Sequence, residues 1–179
     1  MYPTKKEILA KRPEIPQKII NVTLSWKKQF IKGWKNHPIE ERIASLEVLI
    51  WMLAITQSAI TNQKPLKLQV KRDKAYEYAY NPKKKIIYLN KESPSIISTL
   101  HELAHYFFGS DELVVCRWSV WLFKECFPGL YKNLIWKQHL LIKKSQNELF
   151  KIQGESALKG SKVISIILLD ASNNHSNRQ

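Results

Sequence analysis

Two histidines four residues apart, His101 and His105, enclose Glu102 in the stretch STLHELAHYFFGSDEL, residues 98–113. In a helix, positions i and i+4 share a face, so both imidazoles can meet one ion. Glu102 is turned about 100° from His101, which sets its carboxylate beside that ion without making it a ligand. This is the H-E-x-x-H arrangement that a zinc hydrolase requires: two nitrogen ligands and a general base. A catalytic zinc takes a third protein ligand and keeps its fourth position open. Asp111 and Glu112 are the candidates. On a following helix Asp111 aligns with Val114, Trp118 and Glu125, a mixed face. Glu112 aligns with Val115 or Cys116, Ser119, and Leu122 or Phe123, a stripe suited to packing on the motif helix. Periodicity therefore favours Glu112, with Asp111 as the alternative. Both acids also have a plain explanation, because acids in a first helical turn stabilise it by about 0.3–1 kcal/mol. A merely solvated helix would leave a polar stripe at 98, 101, 102 and 105 with no acid nearby.

These residues need elements to position them. Ser93 and Pro94 read as the N-cap and first residue of the motif helix, and Gly109 as its left-handed stop. Ser110 then caps a helix with Asp111 and Glu112 in its first turn, running through Phe127 to the stop at Pro128 and Gly129. Upstream, LKLQV, AYEYAY and KKIIYLN are short β-rich segments separated by KRDK and NPKKK, which predicts a three-strand meander. A helix from about Ile19 to Trp34 would line up Trp26, Phe30 and Trp34, and another runs from Pro38 to about Ile60. Leu130 to Phe150 reads as a further helix, and residues 163–169 as a strand before a polar tail. The expected class is α+β, helices over a small, mostly antiparallel sheet. The expected division is an N-terminal helical arm (1–38), a catalytic domain (39–152) and a C-terminal extension (153–179).

Composition bounds the setting. The 179 residues suit one domain, and 29 Lys+Arg against 15 Asp+Glu leave a net charge of +14. Such a charge favours acidic surfaces or nucleic acid as neighbours and says nothing of fold. Cys116 and Cys126 stand ten apart on one helix, about 15 Å, too far for a disulfide. The start, MYPTKKEILAKRPEIPQK, has no apolar core of a secretory signal, and VLIWMLAI is short of the roughly 20 residues that span a bilayer. A cytoplasmic setting without a membrane span is expected.

IIYLNKESPSIISTLHELAHYFFG followed by ELVVCRWSVWLFKECFP resembles the ImmA/IrrE-like zinc peptidases over about residues 85–128. The resemblance implies a zincin fold, an edge strand before the motif helix and a glutamate ligand on a later helix, which falls on Glu112. Glu112 follows His105 by only seven residues, closer than in most such relatives, which points equally to a neighbouring zincin family. The long metzincin pattern would use Asp111 but needs glycine where Phe108 stands. The implied function is a zinc-dependent metallopeptidase acting on an intracellular protein, regulatory or tied to a mobile element. In it Zn²⁺ rests on His101, His105 and Glu112, Glu102 moves the proton, and KIIYLN aligns the substrate. Tyr88, Tyr106, Arg117 and His139 are the candidates for stabilising the oxyanion. Two alternatives remain: a DNA-associated protease resembling the SprT/Spartan group, and a zinc-stabilised binding module without catalysis.

Overall fold

The computed structural model describes residues 2–62, 68–73, 78–137 and 140–143. The 163–169 segment and the rest of the C-terminal extension lie outside them. Among the described residues, six helices pack around a three-strand mixed sheet, with a separate two-strand hairpin at the C-terminal end.

Helix α1 (Lys5–Ala10) is closed by a reciprocal cap: the Thr4 hydroxyl accepts the Glu7 amide, and the Glu7 carboxylate accepts the Thr4 amide. Helices α2 (Gln17–Phe30) and α3 (Ile39–Thr61) pack together through Ile19, Ile20 and Trp26 against Ile43, Leu46, Leu49 and Leu53. The Trp26 indole donates to the Ser45 carbonyl at 2.7 Å, which satisfies the one polar atom of a fully buried ring. The helix expected to reach Trp34 stops at Phe30, because the chain turns at Gly33 with φ 76°. Trp34 begins a short 3-10 turn instead, yet stays on the aromatic cluster, 5.8 Å from the Trp26 ring. By length and composition α3 suffices to cross a bilayer. Its inner face, however, is buried against α2 and α4, where it forms much of the core.

The sheet is not a meander. Strands β1 (Gln69–Asp73), β2 (Tyr78–Asn81) and β3 (Ile86–Asn90) lie in the order β1-β3-β2, with β3 parallel to β1 and antiparallel to β2. Ile86, Ile87 and Leu89 are buried, and the most apolar strand belongs in the middle, where both neighbours shield it. KIIYLN is thus central rather than the edge expected of it, and β1 and β2 flank it. Arg72 and Asp73, read from sequence as turn, belong to β1, and Arg72 forms a two-pronged ion pair with Glu47 of α3. Asn81 accepts the Lys84 amide in the turn joining β2 to β3.

Helix α4 (Ile96–Phe108) carries the motif, and α5 (Glu112–Cys126) packs along it. The cap of α4 is Ser95 rather than Ser93, its hydroxyl accepting the Ser98 amide. Ser93 is drawn aside because its carbonyl accepts the Tyr78 hydroxyl, which itself accepts the Ser95 amide. Gly109 ends α4 at φ 80° and ψ −143°, a positive-φ conformation outside the left-handed helical region expected. Beyond α6 (Pro128–Tyr131), the described part of the helix expected over Leu130–Phe150 is instead a strand pair, β4 (Leu134–Lys137) and β5 (Leu140–Lys143), and the rest of that expectation, residues 144–150, lies outside the described residues. Its apolar residues fit period two as well as period 3.6. Leu134, Trp136 and Leu141 gather with Ile8 of α1 and Cys116 of α5, a packing that a continuing helix would not supply.

Candidate metal centre

Helices α4 and α5 meet because each offers an apolar stripe to the other: Leu100, Leu103 and Ala104 on one side, Val115, Trp118 and Leu122 on the other. Phe107 and Phe108 both set their rings edge-on to Trp118, closing the end of this seam. The bend at Gly109 folds α5 back so that its first turn faces the last turns of α4. The expected stripe through Glu112, Val115, Cys116, Ser119, Leu122 and Phe123 is the face that packs, with all but half-buried Glu112 fully buried.

His101, His105 and Glu112 converge, one ligand atom of each lying within 4.8 Å of the others. Nε2 of His101 is 3.3 Å from one Glu112 oxygen, and Nε2 of His105 is 3.4 Å from the other. These contacts are long for hydrogen bonds. They are close to the spacing of about 3.3 Å between ligand atoms placed about 2.0–2.1 Å from one zinc ion, with each imidazole facing a different oxygen of the carboxylate. The donor set, two imidazole nitrogens and a carboxylate, suits the same metal. His105 donates from Nδ1 to the Gly109 carbonyl at 2.9 Å, which fixes the ring with Nε2 facing Glu112. Behind His101, Nδ1 faces the buried Cys116 thiol at 4.0 Å, and the same sulfur stands 3.7 Å from Glu112. Burial pushes that thiol up to about 12, with the Glu112 carboxylate adding to the effect, so Cys116 remains a neutral thiol. Cys116 and Cys126 are both free, as their spacing requires.

Asp111 does not join the cluster. One of its carboxylate oxygens accepts the Leu113 and Val114 amides at 3.0 and 3.2 Å, so Asp111 itself, rather than Ser110, caps α5. A carboxylate committed to two amides at a helix start is held away from the histidines, and of the two acids it is Glu112 that joins them.

Glu102 stands on the neighbouring face of α4, turned toward β2. Burial raises its carboxyl above the ordinary carboxylate range and Glu112 adds to this, while His101, His105 and the Tyr80 amide pull the other way. Tyr80 is the residue at this site that sequence reasoning missed. Its ring packs edge-on against Tyr106 at 5.9 Å, one helical turn beyond Glu102. The alternation of AYEYAY carried the signal, since it puts Tyr78 and Tyr80 on one strand face.

Of the four oxyanion candidates, Tyr106 shares the Glu102 face of α4. Arg117 is turned away and donates twice to the Glu7 carbonyl of α1, at 2.9 and 3.2 Å. Tyr88 pairs with Ala79 and Lys71 on the sheet face opposite the buried Ile87 and Leu89. His139 lies outside the described residues. The chain matches no family model, no curated protein and no solved structure.

Proposed function

We propose that the chain is a zinc-dependent metallopeptidase of the zincin type, hydrolysing a peptide bond in an intracellular protein. The observation that carries this reading is a single constellation. Two imidazole nitrogens and one carboxylate gather within 4.8 Å of one another, and a second carboxylate stands beside them uncommitted to the cluster. A purely structural site needs a fourth protein ligand, and among the described residues the cluster has three. His101, His105 and Glu112 would hold the metal. When bound, zinc would supply Lewis acidity, polarising the scissile carbonyl and making water a better nucleophile. Glu102 then accepts the proton of the attacking water and passes it to the departing amine. The β2 edge, whose Tyr80 amide reaches Glu102, would take the substrate as an added strand.

The test compares wild type with Glu102→Gln in host lysate, with new protein termini read by mass spectrometry. The amide keeps size and spares the metal ligands but accepts no proton, so cleavage should fall by about 10²–10⁴. Cleavage that is identical in both proteins, or absent from zinc-loaded wild type, would leave the site as a metal-stabilised binding module.

A further inference from the structure

Two exposed lysines, Lys83 and Lys84, stand on the turn into which the β2 edge runs, and a third, Lys71, lies on the far strand of the same sheet. Register places Ala79 of β2 beside Tyr88 of β3 on the face turned away from buried Ile87 and Leu89. Because Ala79 is small, a shallow depression of about 310 Å³ opens there, lined by Ala79, Tyr80, Asn81, Pro82, Lys83 and Tyr88. Lys83 and Lys84 are exposed on the turn that ends β2, and Lys71 is exposed beyond Tyr88. None of the three is in an ion pair among the described residues. The sheet's acids lie toward its other end, where Asp73 is level with Asn90 and Glu92 follows shortly after. The edge of β2 therefore runs from the Tyr80 amide, beside Glu102, directly into the lysine turn.

Building on the peptidase reading, we infer that the substrate is an extended acidic peptide segment. It adds to the β2 edge, and its alternate side chains project onto the Ala79 face and carry carboxylates toward Lys83 and Lys84. The depression against Tyr88 receives one of them. Main-chain groups of the edge supply affinity without regard to sequence, while the lysine turn supplies the preference. A nucleic acid fits this surface less well. Single strands bind on successive aromatic faces, and here Tyr88 is the ring on the Ala79 face of the sheet, Tyr80 being turned to the opposite face against Tyr106.

The test uses full-length Glu102→Gln, loaded with zinc, and anisotropy of labelled ten-residue peptides with glutamate, glutamine or lysine at alternate positions, beside an oligothymidylate. The glutamate peptide should bind about tenfold tighter than the glutamine peptide at low salt, the margin shrinking as salt screens partly exposed pairs. Adding Lys83→Glu and Lys84→Glu should reverse the order in favour of the lysine peptide. The milder Lys83→Gln and Lys84→Gln pair should abolish the preference while leaving the circular dichroism spectrum unchanged. Equal affinities for all three peptides, a preference that survives charge reversal, or binding confined to the oligothymidylate would overturn the inference. Wild-type protein separates the two readings. Cutting the glutamine and glutamate peptides equally removes the acidic preference and leaves hydrolysis standing. Binding the glutamate peptide selectively without cutting it keeps the preference and removes hydrolysis.

Discussion

At the scale of single residues, Asp111 and Glu112 are neighbours with opposite duties. Asp111 is spent on two backbone amides, whereas Glu112 points its oxygens at two imidazoles. The consequences of removing each should separate cleanly. His101→Ala, His105→Ala and Glu112→Ala should each lower bound zinc from about one equivalent toward none, because a three-ligand site does not survive the loss of one ligand. Asp111→Ala should keep its zinc and lose about 1 kcal/mol of stability, the usual cost of a deleted N-cap. Metal analysis of dialysed protein, run beside urea denaturation, reads both quantities. Zinc retained by the histidine variants, or lost only from Asp111→Ala, would show that the ligands have been misassigned.

At the scale of elements, two joints hold the site. Tyr78 fastens β2 to the start of α4, donating to the Ser93 carbonyl and accepting the Ser95 amide. Tyr78→Phe leaves those backbone groups without their partner and should cost about 1–3 kcal/mol. It should also lower the turnover of any substrate bound along β2, since the joint sets the spacing between strand and Glu102. Thermal unfolding and steady-state kinetics on one preparation would test this, and unchanged values in both would show the joint to be idle. The second joint ties α1 to α5. Arg117 holds the Glu7 carbonyl, Trp121 donates to that of Ile8, and the Ile8 side chain is fully buried beside Cys116. Ile8→Ala should destabilise by about 2–5 kcal/mol through lost burial and the cavity left behind. A loss under 0.5 kcal/mol in chemical denaturation would mean that α1 is only loosely attached.

Across the whole molecule, one core runs through α2, α3, β3, α4 and α5, so the N-terminal helices share their buried surface with the helices of the site. This core also shapes the response to alkali. Burial pushes the Cys126 thiol from 9.0 and the Tyr78 phenol from 10.0 up to about 12. In the unfolded chain both groups release their protons at lower pH than in the fold. Above about pH 9 the unfolded state therefore binds fewer protons, and stability must fall as pH rises toward 12. Below pH 9 these two groups contribute no slope. Cys126→Ala and Tyr78→Phe should each flatten the alkaline limb of a stability–pH curve. A limb equally steep in both variants would place its origin elsewhere in the chain.

How much of this was legible in the sequence differs from element to element. HELAH determined the local geometry by itself, because helical periodicity fixes the angles between residues 101, 102 and 105 whatever surrounds them. The apolar stripe behind Glu112 likewise announced the packing of α5 on α4. Other features needed the assembled chain. Strand order is a matter of which edges meet, and local alternation carries no information about partners, so β3 was misread as an edge. The hairpin at 134–143 was misread as helix because short apolar runs fit both periods until packing against Ile8 selects one. That Asp111 caps α5 while Glu112 joins the histidines depends on hydrogen bonds that form only once α5 has its start. The place of Tyr80 beside Glu102 arises across a sheet-to-helix contact, which no spacing along the chain records. Sequence thus determined the chemistry each short segment could present, and tertiary structure decided which segments face one another.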